Sequence, residues 1–205
     1  MHKIYYSQRC LAICSPEERD GLSREFVILP EGTGAGRAAS LLVDENAPVL
    51  QALVCDDTSM EYGRLNAEFK QVNAAGGLVR DPDGYFLMMF RNGVWDLPKG
   101  HQEKDEPIEA TAEREIAEET AIKGLRRGKL ICITDHCYFR NGIWHIKHTW
   151  WFDFTSRSRQ CPRPQTEEGI ASVVWTSPDD VRGKLENSYP SIREVFEEAM
   201  KLFGR

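Results

Sequence analysis

Residues 100–122, GHQEKDEPIEATAEREIAEETAI, constrain this chain more than any other stretch. They hold eight acids against Lys104 and Arg114, a net charge of −6 that equals the formal net charge of the whole 205-residue chain. The acidity is therefore local, and the remaining residues balance. Pro107 suits the first turn of a helix, and Glu106 and Glu109 suit the positive end of its dipole. The dipole does not account for Glu115, Glu118 and Glu119, which come late in the helix, where negative charge is disfavoured. Spaced i, i+3, i+4, these three share a face and repel one another. At ~100° per residue, Glu115 and Glu119 fall beside the apolar Ile108, Ala112 and Ile116, while Ala110, Ala117 and Ala121 line a second face. The plain reading is a solvated acidic face, but such a face should lie opposite the apolar stripe. Three carboxylates at the edge of an inward stripe cannot all stay ionised without a cation. Oxygen-only ligands select Mg²⁺ or Mn²⁺.

The rest of the chain sets bounds. Hydrophobic content of 41% and charged content of 28% describe a globular chain. Ser7, Gln8 and Arg9 interrupt the N-terminus where a signal peptide needs an apolar core, and no apolar run approaches the roughly 20 residues that span a bilayer. A cytoplasmic protein with no membrane partner is expected. Cys10, Cys14, Cys55, Cys132, Cys137 and Cys161 include no C-x-x-C pair and match no zinc-ligand spacing, so buried or incidental thiols are expected. With charge balanced outside one segment, there is no basic footprint for long nucleic acids.

Strands and helices alternate along the chain. KIYY and RCLAIC read as a hairpin around Ser7–Gln8 and EFVILP as a strand; AASLLVDE is a helix, PVLQALVC a strand and SMEYGRLNAEF a second helix. VNAAGGLVR and YFLMMFR are strands joined by the turn formers of DPDG. KLICITDHCYF and IWHIKHTWWFDF follow the acidic helix, then SVVWT; Ser177–Pro178 suits a helix start, and Ile192, Val195, Phe196 and Phe203 mark a terminal amphipathic helix closed by Gly204. Period two in the WHIKHTWWFDF strand sends Trp144, Ile146, His148, Trp150, Phe152 and Phe154 to one face. His145, Lys147, Thr149, Trp151 and Asp153 go to the other, so His148 reads as a core histidine and His145 and His148 make a poor ligand pair. A boundary near residue 70 leaves 1–69 as a small N-terminal α/β module before a domain spanning 70–205. GTGAGR at 32–37 breaks the G-x-G-x-x-G spacing and reads as an ordinary loop before a helix.

Gly100, Glu106, Arg114, Glu115, Ile116, Glu118, Glu119 and Ile122 fit the pattern G-x5-E-x7-R-E-U-x-E-E-x-G-U, with U aliphatic, and AAGGLV and WDLPKGH also match. The chain thus resembles the Nudix hydrolases over roughly residues 70–180. One position departs: Ala121 stands where the family has the Gly that helps end the helix. The resemblance implies an α/β/α sandwich around a mixed sheet. It also implies cleavage of a nucleoside diphosphate linked to another moiety, or of a related pyrophosphate.

The residues agree with that chemistry. Mg²⁺ on Glu115, Glu118 and Glu119 would neutralise phosphate charge and lower the pKa of a bound water. By resemblance, the Gly100 carbonyl is a further ligand and Arg114 orients the cluster. Lys99 and His101 flank Gly100 at the substrate side, and Lys147 is a candidate phosphate contact beside its reading as a surface lysine. The general base is Glu118, or Glu167 or Glu168 of PQTEEGI, which also read as a solvated loop pair. LPKGH resembles enzymes of dinucleoside polyphosphates or diphosphoinositol polyphosphates. Tyr138, 16 residues after Ile122, resembles a base-stacking tyrosine of the former, with Phe139 beside it, although packing serves as well. ADP-ribose is disfavoured by the absence of a family proline. The alternatives are a non-catalytic nucleotide-binding protein and a nucleoside triphosphate or ADP-ribose hydrolase. Residues 1–69 carry no ligand constellation and are expected to shape the substrate entrance or build a homodimer interface.

Overall fold

A computed structural model describes residues 1–204. They group into two compact units, residues 1–72 with 135–147, and residues 73–134 with 148–204.

The first unit opens with the expected hairpin, β1 (His2–Tyr6) and β2 (Arg9–Cys14). Helix α1 (Pro16–Arg19) starts on a capping box: Ser15 Oγ accepts from the Glu18 amide while the Glu18 carboxylate accepts from the Ser15 amide. The strand expected over EFVILP shrinks to β3 (Val27–Ile28), an exposed edge. Helix α2 (Ala35–Val43) begins inside GTGAGR, and β4 (Leu50–Val54) and α3 (Thr58–Asn66) follow. β2 and β3 both pair with β4 in parallel. Alternation along β2 buries both of its faces. Leu11 and Ile13 meet Leu42 of α2 and Leu65 of α3, while Ala12 and Cys14 meet Leu22 and Phe26. Cys137 and Ile146, from the 135–147 segment, complete the first of these cores.

In the second unit, β5 (Lys70–Arg80) and β6 (Phe86–Arg91) pair antiparallel around the DPDG turn. Short strands β7 (Val94–Asp96) and β8 (Lys99–His101) add to β6 and β5. Helix α4 (Ile108–Thr120) comes next, then β9 (Arg126–Arg140), β10 (Ile143–Thr155) and a single 3₁₀ turn at Thr166–Glu168. β11 (Ile170–Thr176), α5 (Pro178–Glu186) and α6 (Pro190–Phe203) close the chain. The strand order is β11-β6-β5-β10-β9. Helices cover both faces. Val79, Leu87, Met89, Phe152 and Phe154 pack with Ala112 and Ile116 of α4, whereas their neighbours Leu78, Phe86, Met88 and Trp151 pack with Val181 of α5 and Val195 and Phe196 of α6. This is the α/β/α arrangement around a mixed sheet that the family resemblance implies.

The two-sided burial corrects the reading of β10. Trp151 and Thr149, placed on the face shared with Lys147 and Asp153, are 1% and 2% exposed; the α5–α6 layer covers Trp151, whose Nε1 donates to Thr134 Oγ1 at 2.8 Å. His148, read as a core histidine, is only half-buried, while His145 is buried. Ser177 and Pro178 do start α5, with Ser177 Oγ accepting from the Asp180 amide. No helix among the described residues is long and apolar enough to cross a membrane.

Helix α4 ends where the family pattern is broken. Ala121 caps it in the left-handed region at φ 61°, its amide donating to Ala117 O at 2.9 Å. A side chain is strained there and glycine is not. Ala121→Gly is therefore expected to stabilise the fold by about 1 kcal/mol, read as a raised urea midpoint at constant slope. An unchanged or lowered midpoint would show that the cap carries no strain.

Candidate active site

The apolar stripe of α4 draws its flanking carboxylates inward with it. Ile116 is fully buried, and beside it Glu119 is 0% and Glu115 8% exposed, while the Glu118 side chain keeps half its surface in solvent. Two ionisable groups this deep need partners. Arg114 supplies one set. Its guanidinium contacts Glu106 through Nε and a terminal nitrogen (2.9 and 3.0 Å), Glu115 at 2.7 Å and Glu118 at 2.9 Å, and donates to the His101 carbonyl at 2.9 Å. Glu106 also accepts from Thr111 Oγ1 at 2.7 Å. The Arg114 hydrogen bonds hold the Glu106 carboxyl at about 2, against the opposing effect of burial. In return the carboxylates, Glu106 foremost, raise the Arg114 pKa.

Glu119 is held from the strands. It accepts from the Lys99 amide at 2.7 Å and pairs with Arg91 of β6 at 2.9 Å. Burial pushes its pKa up to about 7, with Lys99 and Arg91 opposing. Burial also raises Glu115, against the pull of Arg114. The second arm of Arg91 reaches Glu168 in the 3₁₀ turn at 3.0 Å, so this guanidinium ties a loop acid to the helix. Lys99 turns its ammonium to the buried Asp96 at 2.7 Å. Gly100, in β8 opposite Ala75, lies so close under Glu115 that a Cβ would overlap the carboxylate.

Glu115, Glu118, Glu119, Arg114, Glu168, Lys99, Gly100 and the His101 backbone thus meet around one end of α4 and β8. Among the described residues, no three His, Cys, Asp or Glu side chains converge in a metal-holding arrangement, because guanidinium groups stand between the acids. The donor chemistry nevertheless fits a hard cation: oxygen ligands only, two of them in a buried setting that burial biases towards protonation.

The model of the NUDIX domain matches residues 70–199. The chain belongs to the Nudix family. A MutT-like protein of Streptomyces ambofaciens is 28% identical over 131 residues, covering 58% of this chain and 71% of its own. Among solved structures, the C. elegans Ap4A hydrolase binary complex matches 65% of this chain and 98% of its own at TM-score 0.53 and 18% identity. The MutT protein of Methanosarcina mazei Go1 matches 67% and 99% at 0.52 and 22%. The NUDIX domain of Shewanella oneidensis NrtR, complexed with ADP ribose, matches 72% and 99% at 0.52 and 20%. At these identities the structures speak for the fold alone.

The Nudix helix is thus a hydrolase helix, of a family that acts on phosphoanhydride bonds. Tyr138 and Lys147 belong to the other unit. Tyr138 lies flat on His145 with ring centroids 5.0 Å apart, and Phe139 is tilted against Trp144 at 5.2 Å. Arg91 and Asp96 escaped the sequence reading. Arg91 ends a strand, and nothing local marks it as the partner of acids 28 and 77 positions later.

The Glu106–Arg114 pair predicts a pH effect. The Glu106 carboxyl is depressed from 4.5 to about 2 by folding, so its contribution is complete above 4.5 and disappears as pH falls through that window. The stability difference between wild type and Glu106→Gln is expected to shrink progressively from pH 4.5 towards 2 in denaturant titrations. A difference independent of pH there contradicts the pairing.

Proposed function

We infer that this Nudix hydrolase cleaves the pyrophosphate linkage of a small nucleotide with a divalent cation, Mg²⁺ or Mn²⁺. The observation that carries the reading is the placement of Glu115 and Glu119, buried one helical turn apart, with the exposed Glu118 beside them. Glu115, Glu118 and Glu119, with the Gly100 carbonyl, would hold the cation. When bound, it neutralises phosphate charge and lowers the pKa of a water.

The chain's own groups do the positioning. Arg114 fixes the rotamers of Glu115 and Glu118 and ties both to the loop before the helix through Glu106. Glu119 is fixed through Arg91 and the Lys99 amide. Proton acceptance from the attacking water falls to one of the solvent-reaching carboxylates, Glu118 or Glu168; of the loop acids, Glu168 is the one that Arg91 ties to the helix. Asp96 keeps the Lys99 ammonium in place beside Gly100.

For substrate, dinucleoside polyphosphates are the first choice. Each further phosphate adds charge for the cation and Lys99 to meet. ADP-ribose is the second reading, because a structural neighbour of similar fold is complexed with it.

The test is phosphate release across dinucleoside polyphosphates, nucleoside triphosphates, ADP-ribose and nucleotide sugars, with Mg²⁺ and with chelator. Dinucleoside polyphosphates should give the highest kcat/KM, chelator should abolish turnover, and Glu118→Gln should lower it by about a hundredfold or more without loss of fold. Undiminished activity in chelator would overturn the cation; a preference for ADP-ribose or a nucleotide sugar would overturn the substrate alone.

A further inference from the structure

The first unit has a hollow of its own, of about 230 Å³, where Trp144 of β10 and Phe69 after α3 face helix α2. The two rings stand at 83° with centroids 6.3 Å apart, which makes them two sides of a corner. Tyr6 and Phe139 do not line the hollow but brace the indole, at 5.7 and 5.2 Å. Ile146, next on the same face of β10, is fully buried in the core, whereas Trp144 is only half-buried. From α2 the lining residues are Gly36, Ala39, Ser40 and Val43, spaced i, i+3, i+4 and i+7, so one narrow face of small side chains leaves the space open. None of the residues gathered at the candidate active site lines it.

Glu68 is the one charged residue in that lining. It is exposed, and its side chain makes no ion pair or hydrogen bond among the described residues. Arg37 and Lys70, next in sequence to Gly36 and Phe69, neither line the hollow nor pair with Glu68, so the negative charge there is uncompensated. Glycine at 36 gives the carboxylate its place: a Cβ there would stand 3.1 Å from Glu68 Oε1. The Ser40 hydroxyl already donates to the Gly36 carbonyl at 3.0 Å. The walls therefore offer π surface and one free carboxylate, with few hydrogen-bonding groups. A ligand that needs several hydrogen bonds, such as a nucleobase, is poorly met. A cation without N–H groups is well met, because ring faces and a carboxylate attract its charge and nothing is left unpaired. The volume falls below the roughly 300–1,000 Å³ of sites for drug-sized ligands, so a head group fills it.

We propose that this hollow binds a small quaternary ammonium compound. The methylated nitrogen sits in the corner of Phe69 and Trp144, with Glu68 as its counter-charge and the rest of the molecule directed to solvent past Ser40 and Glu68, the exposed members of the rim.

The test is isothermal titration of the full chain with choline and with 3,3-dimethylbutan-1-ol, its neutral carbon isostere. Choline should bind saturably at one site, at least about tenfold more tightly than the isostere, which has the same shape and no charge. Trp144→Leu and Glu68→Gln should each weaken choline binding about tenfold. Glu68→Gln should keep the wild-type thermal midpoint, since the side chain is exposed and unpaired, so its loss of binding cannot be a loss of fold. Glu118→Gln should bind choline as wild type does, which separates this site from the acids of α4. The proposal is overturned by absence of saturable choline binding, by equal binding of the neutral isostere, by choline binding that Trp144→Leu and Glu68→Gln both leave intact, or by binding lost in Glu118→Gln.

Discussion

One guanidinium organises the Nudix helix. Arg114 serves three carboxylates and a strand carbonyl, drawn from three places: Glu106 before the helix, Glu115 and Glu118 within it, and His101 in β8. Without it, Glu115 would be a nearly buried acid with no opposite charge in contact, a strongly destabilising state. With it, Glu115 and Glu118 are held in fixed rotamers despite their mutual repulsion, while Glu119 is held by Arg91 and the Lys99 amide. The planar fork matters, since a lysine has a single charged nitrogen and could not meet four acceptors in these directions.

The sheet determines where that helix lies. Residues of β5, β6 and β10 alternate between two apolar layers, so each strand is fixed from both sides, by α4 and by α5–α6. With Ile116 and Ala112 sunk into one layer, Glu119 arrives at the strand ends, where the Lys99 amide and Arg91 wait for it. Packing and chemistry are coupled here: the same helix rotation that fills the core sets the depth of the acids, and their depth raises the pKa values of Glu115 and Glu119.

Much of this was legible in residues 100–122, because helix periodicity and charge are local properties. The position of the acids beside the stripe and the start of α5 at Ser177 follow from neighbours within a few turns, whereas the orienting part given to Arg114 comes from the family resemblance alone. What could not be read is what depends on contacts distant in sequence. Arg91 reaches Glu119 and Glu168, Asp96 anchors Lys99 from a buried site, and Trp151 is covered by a helical layer some thirty to forty-five residues later. Alternation places Trp151 on a face of β10 but says nothing of what covers that face. Likewise EFVILP has strand composition, yet only Val27 and Ile28 form ladder pairs with β4, and Leu29 adds a single amide bond to Ala52 O. Residues 135–147 carry no local sign of the unit they join.

The acids of α4, as proposed, hold a divalent cation. Titration of the protein with Mn²⁺, following the free-ion signal by electron paramagnetic resonance, tests this without any assumption about substrate. Saturable binding in the wild type, lost or strongly weakened in Glu115→Gln and in Glu119→Gln and competed by Mg²⁺, is the predicted result. Absence of saturable binding, or binding indifferent to both substitutions, would contradict it.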